Sequence, residues 1–285
     1  MTVSTVRRRT ALVAASLLAL PILGGIADAA PVVTCSYAAD TGVVRVGVKD
    51  IEASVAFERS MDEELLVNAD LCTSPSGKVA DLSNISRVVV RGGSSEQTVV
   101  IDFDGGAFTP GRGAEPGGSD EIEFDVALGE GSDSFEIRAY DAGSTVRAGT
   151  KQGDHLLNLN PTEATGVDAD VRLRGVEHVA FVGAMGDDVF SGAGGRGTGD
   201  AFRPSLYVGD FVGGDDRFIG GAGSDQILDP VGNDTDVVRG GAGRDSLETY
   251  DQDLTVDAVD GQAGTDTCHY DSNDQAASCE EQPQS

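Results

Sequence analysis

A nine-residue pattern of glycine and aspartate recurs in the last third of the chain and restricts the folds that the chain can adopt. The pattern is G-G-x-G-x-D-x-U-x, where U is a large apolar residue, and it is matched in full at 220–228 (GGAGSDQIL) and 240–248 (GGAGRDSLE). The segments 183–191, 211–219 and 261–269 keep the aspartate and part of the glycine set. Close repetition of this kind predicts a repeat architecture in which each unit stacks on the next.

The chemistry of the pattern predicts both a turn and a strand in each unit. Glycine allows positive φ and close backbone approach, so the first six residues can form a tight turn with carbonyl oxygens directed inward. The last three residues form a short strand whose single U side chain points into the core. Stacked units would surround a hard cation with carbonyl and carboxylate oxygens, and calcium prefers six to eight such ligands at about 2.3–2.6 Å.

A cation is expected to be structural in such a stack. Each repeat buries only one large apolar side chain, and aspartates on adjacent coils, about 5 Å apart, repel one another. A bound cation turns that repulsion into attraction, so binding and folding would be coupled.

The sequence upstream of the repeats is also strand-like. Alternating apolar and polar residues predict short strands at 42–48, 98–103, 121–128, 155–160, 170–175 and 178–183. A weak amphipathic pattern at 54–71 predicts a helix, and 192–210 is interpreted as a loop that interrupts the repeats. Fainter copies of the repeat occur at 118–124 and 128–136, but an isolated aspartate such as Asp133 is interpreted as a solvated turn residue.

The two full copies of the pattern resemble the RTX, or haemolysin-type, calcium-binding repeat. The resemblance implies a β-roll with two nonapeptides per coil and calcium between turns n and n+2. Asp225 would then share an ion with Asp245, and Asp216 with either Asp234 or Asp236, because two extra residues at 229–239 leave the register open. The candidate metal-binding residues are Gly186, Asp188, Gly214, Asp216, Gly220, Gly221, Gly223, Asp225, Asp234, Asp236, Gly240, Gly241, Gly243, Asp245, Gly264 and Asp266.

The N-terminus predicts export. Arg7, Arg8 and Arg9 precede an apolar run at 11–23, and small residues before Ala29 suit cleavage of a signal peptide at that point. The apolar run is too short to span a bilayer. The predicted fold is all-β: a right-handed parallel β-solenoid with an RTX calcium β-roll in its C-terminal half. The predicted organisation is a signal peptide at 1–29, an irregular solenoid at 30–182, the β-roll at 183–267 and a disulfide-closed tail at 268–285.

Four cysteines in an exported chain favour disulfide bonds, and four cysteines allow three connectivities. Two cysteines lie near each end, so the simplest pairing is Cys35 with Cys72 and Cys268 with Cys279.

Charge limits the possible partners. Removal of residues 1–29 takes away three arginines and one aspartate and changes the formal charge from −28 to −30. Such a charge disfavours binding to nucleic acid or insertion into anionic membranes, and it suits calcium as a partner. Association with a cell surface, or self-association through an open sheet edge, is also consistent with a solenoid.

The predicted function is that of a secreted, non-catalytic calcium-binding protein. The sequence contains no H-E-x-x-H zinc motif and no G-x-S-x-G nucleophile motif. Two alternatives stay open. One is a polysaccharide-active β-solenoid enzyme that uses Asp102 or Asp104 with Glu123 or Asp125 as an acid/base pair, although the chain has no Trp for sugar stacking. The other is an extracellular adhesion or spacer module.

Overall fold

Strands in this chain alternate between two long sheets. The computed structural model describes residues 32–49, 51–109, 111–112, 122–139, 143–159, 168–252 and 254–280, and these contain β-strands and no helix. The predicted signal peptide and the first four residues of the faint repeat copy at 118–124 lie outside the described residues.

Sheet 1 has twelve strands and sheet 2 has ten. In spatial order, sheet 1 contains β1 (Val33–Ala38), β2 (Val43–Val48), β6 (Arg87–Arg91), β8 (Glu123–Ala127), β12 (Val171–Arg174), β11 (Asp154–Asn158), β10 (Thr145–Lys151), β14 (Val189–Ser191), β16 (Arg217–Ile219), β18 (Val237–Gly243), β20 (Ala258–Gly264) and β22 (Gln275–Ala277). Sheet 2 contains β21 (Thr267–His269), β19 (Ser246–Glu248), β17 (Gln226–Leu228), β15 (Leu206–Gly209), β13 (His178–Val182), β9 (Ser134–Arg138), β7 (Gln97–Asp102), β3 (Ala53–Arg59), β4 (Leu65–Val67) and β5 (Asp70–Leu71).

Most neighbouring strands are parallel, and the chain passes to the other sheet between them. From β14 to β21 each strand of sheet 1 is followed by one strand of sheet 2, and we call such a pair a coil; β22 then adds a last strand to sheet 1. The parallel register is regular, with Phe190, Phe218, Val238 and Val259 paired in succession across sheet 1. The arrangement is all-β and compatible with a β-solenoid.

Antiparallel strands occur at one end of each sheet and at one insertion. At the N-terminal end, β1 extends sheet 1, and β4 and β5 extend sheet 2. The hairpin of β10 and β11 enters sheet 1 between β12 and β14. Both sheets continue past residue 183, where the sequence predicted the start of the roll, and residues from Pro31 onward form one compact unit.

The core lies between the inward faces of the two sheets. Period-2 alternation places Val44, Val46 and Val48 of β2 inside, and Phe124 and Val126 of β8 follow the same rule. The short strands of the repeats bury mostly one side chain each, namely Phe190, Phe218, Ile227, Val238, Leu247, Val259 and Cys268. The U position of the sequence pattern is therefore the core position.

Two predictions of local structure were wrong. The segment 54–71 forms strands β3, β4 and β5 rather than a helix, because Val55, Phe57, Leu65 and Val67 alternate with more exposed residues and line the core. The predicted loop at 192–210 contains β15, whose Leu206 and Val208 are buried. The six strand-like runs predicted upstream all contain strands.

Both predicted disulfide pairs are present: Cys35 with Cys72, and Cys268 with Cys279. The first links β1 to the residue after β5, and so connects the N-terminal ends of the two sheets. The second connects the last strand of sheet 2 to the end of the described chain. No helix among the described residues is long and apolar enough to cross a membrane.

Candidate metal-binding corners

Each repeat coil turns twice, and the two turns begin with different residues. The connection from sheet 1 to sheet 2, which we call the glycine corner, starts at the equivalent positions Gly192, Gly220, Gly240 and Gly261 on successive coils, and on the last two coils β18 and β20 continue into the corner. The turn from sheet 2 back to sheet 1, which we call the aspartate corner, begins at Gly183, Asp210, Asp229 and Thr249 on successive coils. Backbone hydrogen bonds from these first residues to the next coil keep the turns in register.

Glycine is required at the glycine corner because the turns stack in close backbone contact. A Cβ on Gly220 would overlap the carbonyl oxygen of Gly240, and a Cβ on Gly243 would overlap that of Gly223. Gly243 also has φ of +137°, which L-residues rarely adopt. The glycines of the pattern thus let coils stack at the spacing of a parallel sheet.

A ladder of aspartates precedes the strands of sheet 1. The backbone N–H of each residue donates to the Oδ1 atom of the aspartate on the next coil, at 2.7 Å from Asp188 to Asp216, 2.9 Å from Asp216 to Asp236, 2.9 Å from Asp236 to Asp257 and 3.1 Å from Asp257 to Asp274. One carboxylate oxygen of each ladder residue therefore serves coil stacking.

A second ladder precedes the strands of sheet 2. Asp225 donates its N–H to Asp245 at 2.8 Å, Asp245 to Asp266 at 2.9 Å, and Asp266 to Glu280 at 2.8 Å. The same contact occurs upstream, where Gln97 donates to Asp133 at 2.6 Å. Asp133 is buried, so its interpretation as a solvated turn residue was wrong.

Several aspartates in or beside the two ladders have a buried carboxylate oxygen that accepts no hydrogen bond from the described part of the chain. These unpartnered oxygens are Oδ2 of Asp133, Asp210, Asp216, Asp245 and Asp266, Oδ1 of Asp234, and both oxygens of Asp229. Asp210, Asp216 and Asp229 are 0%, 2% and 1% exposed, respectively. An unpaired buried carboxylate is costly, so each of these oxygens needs either a proton or a cation.

The aspartate corner brings three carboxylates together at two successive levels. Asp188, Asp210 and Asp216 form one group, and Asp216, Asp229 and Asp236 form the next; within each group, one oxygen per residue lies within 4.8 Å of the others. Two oxygens bound to the same calcium ion can be up to about 4.6–5.2 Å apart, which is twice the calcium–oxygen distance. The donor sets are therefore compatible with calcium.

Burial and mutual repulsion raise the pKa of several aspartates at this corner. Burial, reinforced by repulsion from neighbouring aspartates, raises the pKa of Asp188 to about 6, of Asp236 to about 8 and of Asp229 to about 10. The pKa of Asp216 is also raised, mainly by burial and then by Asp210, Asp188 and Asp236. At the glycine corner, burial raises the pKa of Asp245 to about 6.

The structure separates the sequence candidates into groups. Asp225 and Asp245 lie on adjacent coils of the sheet 2 ladder, and Asp216 lies beside Asp236 in the sheet 1 ladder. Asp234, the other residue considered for that register, instead accepts the N–H of Gly214 at 2.8 Å. Gly186 and Gly214 meet across coils, because a Cβ on Gly214 would overlap the carbonyl oxygen of Gly186. The remaining candidate glycines, Gly220, Gly221, Gly223, Gly240, Gly241, Gly243 and Gly264, lie at the glycine corner or in its flanking strands, as do Asp225, Asp245 and Asp266.

Sequence reasoning missed Asp210 and Asp229. Each directly follows a strand of sheet 2, and each falls outside a nine-residue frame counted back from the ladder aspartate. The sequence did contain a clue to both residues. Each comes directly after a strand that ends with the U residue and one further residue, and the strand register aligns this position with Gly183.

The candidate acid/base residues of the enzyme alternative lie in different sheets. Asp102 ends β7 in sheet 2, whereas Glu123 and Asp125 belong to β8 in sheet 1. Asp102 lies 3.7 Å from Arg138, and Asp125 pairs with Arg91 at 3.3 Å and with Arg174. The structure therefore does not bring this pair together on one sheet face.

Comparisons with protein-family models, with curated proteins and with solved structures found no match.

Proposed function

We propose that the protein is a secreted, non-catalytic calcium-binding repeat protein whose C-terminal coils are held folded by Ca²⁺ bound between stacked turns. The observation that carries the proposal is the set of buried, unpartnered carboxylate oxygens, all of which except Oδ2 of Asp133 belong to the coils that have the thinnest apolar core. Protonation of the ladder carboxylates weakens the charge-assisted hydrogen bonds that they accept from backbone N–H groups, whereas a bound cation satisfies the free oxygens and keeps those bonds.

The chemistry of the donors selects the class of ion. The clustered groups offer carboxylate oxygens only, without histidine or cysteine, and such hard donors suit calcium, magnesium or manganese rather than zinc or copper. Calcium accepts more ligands and a less regular geometry than magnesium, which suits an irregular turn. The resemblance of the glycine corner to RTX repeats supports the same ion.

The sheet topology supports a parallel β-solenoid whose repeat coils form a calcium β-roll. Parallel strands in the same sheet are almost always joined by right-handed crossovers, so we infer a right-handed coil. Two disulfides suit an oxidising extracellular compartment, and the signal-like N-terminus supports export. A non-catalytic role is supported by the distribution of Asp102, Glu123 and Asp125 over two sheets.

The test is a calcium titration of the exported chain after chelation and dialysis. Calorimetry gives the affinity, native mass spectrometry counts the bound ions, and circular dichroism with thermal melting reports the fold. We expect calcium to bind, to increase the strand signal and to raise Tm, and we expect magnesium at the same concentration to do so less. Chelated protein that retains its full strand signal and Tm, and binds no calcium on titration, would refute the proposal.

A further inference from the structure

The aspartate corner differs from the glycine corner in the residue that begins the turn. At the glycine corner the first residue is glycine at each of four successive coils, at positions 192, 220, 240 and 261. At the aspartate corner the corresponding position changes from Gly183 to Asp210, Asp229 and Thr249. Two consecutive coils therefore gain a carboxylate at a position that the nine-residue pattern gives to glycine.

The added carboxylates are directed toward the ladder. A Cβ on Gly183 would overlap Oδ2 of Asp210 and would lie 3.0 Å from Oδ2 of Asp188, so the space beside this glycine is lined by both carboxylates. Asp210 anchors its other oxygen, Oδ1, by accepting the N–H of Val212 at 2.7 Å, and its Oδ2 is unpartnered. Asp229 is almost completely buried and leaves both oxygens unpartnered among the described residues. A buried carboxylate with two free oxygens points to a ligand that the acidic cluster alone would not establish.

From these contacts we propose that the aspartate corner forms a pair of adjacent three-carboxylate calcium sites that share Asp216, an inference that rests on the proposed calcium-binding function. The first site consists of Asp188, Asp210 and Asp216, and the second of Asp216, Asp229 and Asp236. Five carboxylates facing two divalent ions leave a local charge of about −1, so two ions neutralise the corner far better than one.

The two sites at the aspartate corner depend on one shared residue, Asp216, and this distinguishes them from the glycine corner. Asp216 uses Oδ1 to accept the N–H of Asp188 and has Oδ2 available, and it belongs to both groups. Removing its charge weakens both sites at once, whereas removing Asp210 or Asp229 weakens one. At the glycine corner Asp225 has no second carboxylate at the start of its turn, since Gly220 occupies that position.

The next coil provides a test by gain of function. Thr249 occupies the position of Asp229 one coil further on, is completely buried and leaves Oγ1 unpartnered in the described structure. By strand register, the ladder residues that correspond to Asp216 and Asp236 one coil further on are Asp236 and Asp257, which are joined by a 2.9 Å hydrogen bond. Thr249→Asp would therefore supply the third carboxylate of a further site.

The experiment counts calcium ions by native mass spectrometry on the full exported chain with both disulfides intact. Asp216→Asn should lose two ions, Asp229→Asn one, and Thr249→Asp should gain one. Asp225→Asn is the matched control at the glycine corner and should lose no more than one. Asn keeps an Oδ1 acceptor for the ladder hydrogen bond, and amide protection that persists in β16–β21 at saturating calcium checks that the C-terminal coils stay folded.

The outcomes separate this inference from the proposed function. If the unmodified chain binds no calcium, both are overturned. If it binds calcium but Asp216→Asn loses no more ions than Asp225→Asn, the paired sites are wrong and calcium binding stands. If Asp216→Asn does not fold, Thr249→Asp decides: an added ion supports the paired sites, and an unchanged count at saturating calcium overturns them.

Discussion

The strands from β1 to β13, which we call the N-terminal coils, and the C-terminal coils from β14 onward share both sheets but differ in the number of apolar side chains between them. In the N-terminal coils, strands of four to seven residues such as β2, β8 and β13 bury two or three apolar side chains each. In the C-terminal coils most strands have three residues and bury one. Where the apolar interior becomes thin, the turns acquire stacked aspartates.

The two regions also neutralise acidic side chains differently. In the N-terminal coils Asp125 lies on the outer face between Arg91 and Arg174. In the C-terminal coils Asp216, Asp229 and Asp236 face one another in the interior of the corner. Under the proposed function, one fold would be stabilised by apolar burial at one end and by bound cations at the other.

Removal of calcium should produce the largest difference between the regions. We expect chelation to abolish amide protection in β16–β21 while β6–β9 keep theirs, because apolar burial per strand is roughly half as large in the C-terminal coils. Hydrogen exchange followed by mass spectrometry, with and without chelator, measures both regions in one sample. Equal loss in both regions, or loss in neither, would remove the distinction.

Raising the pH should lower the stability of the C-terminal coils in the absence of calcium and raise their affinity for calcium. The pKa of Asp236 is raised to about 8 by burial, above the value of about 3.9 for an unfolded aspartate. The metal-free fold should therefore be most stable below pH 4 and lose stability as pH rises through 8. Calcium must displace protons, so its affinity should rise by up to about tenfold per pH unit for each protonated ligand up to that range.

Urea unfolding in the presence of chelator measures how the free energy of unfolding changes from pH 5 to pH 9. Calorimetry measures how the affinity for calcium changes over the same range. The N-terminal coils supply an internal control. Burial tends to raise the pKa of Asp125, but hydrogen bonds and charges from Arg91 and Arg174 outweigh it and lower the pKa, so its contribution stays constant from pH 5 to pH 9 and is lost only at lower pH. If the free energy of unfolding changed with pH in the same way with and without calcium, the result would argue against binding of cations by these carboxylates.

Matched core substitutions should sharpen the comparison. Phe124 packs edge-on against Phe57 and Phe108, at ring distances of 5.5 and 5.6 Å, and Phe124→Ala should cost about 3–5 kcal/mol whether or not calcium is present. Phe218, 6.1 Å from Phe181, belongs to a C-terminal coil, so Phe218→Ala should lower only the calcium-dependent transition. Urea unfolding of both variants in calcium and in chelator tests this, and calcium-dependent destabilisation by Phe124→Ala would contradict it.

Removal of the disulfides should produce the smallest difference in stability between the two regions. The pair Cys35–Cys72 closes a separation of 37 residues and Cys268–Cys279 one of 11, so chain entropy assigns them about 4 and 3 kcal/mol, respectively. Replacing each pair with alanine should lower the N-terminal and the calcium-dependent transitions separately. Differential scanning calorimetry in calcium resolves them, and a shift of the same transition by both double variants would show that the regions unfold as one unit.

Local sequence predicted the strands and turns well where one rule dominated. Alternation located six upstream strands, and the U position identified Phe218, Ile227 and Leu247 as core residues. It failed at 54–71, where acidic residues in short β-turns imitated a helical pattern, and at β15, where glycine-rich flanks obscured four strand residues. In both cases pairing with a neighbouring strand, which is a long-range contact, decided the conformation.

The sequence by itself determined that glycine-rich turns alternate with short strands, and that acidic residues recur beside them, because these depend on backbone freedom and side-chain period. Only the tertiary structure decided which carboxylates meet. Turns of different length at the aspartate corner move Asp210 and Asp229 out of the nine-residue frame, yet strand pairing brings them level with Gly183 and beside the ladder. Contacts between coils follow the register of the sheets and not the spacing along the chain, and that register is set by hydrogen bonds and core packing across the whole stack.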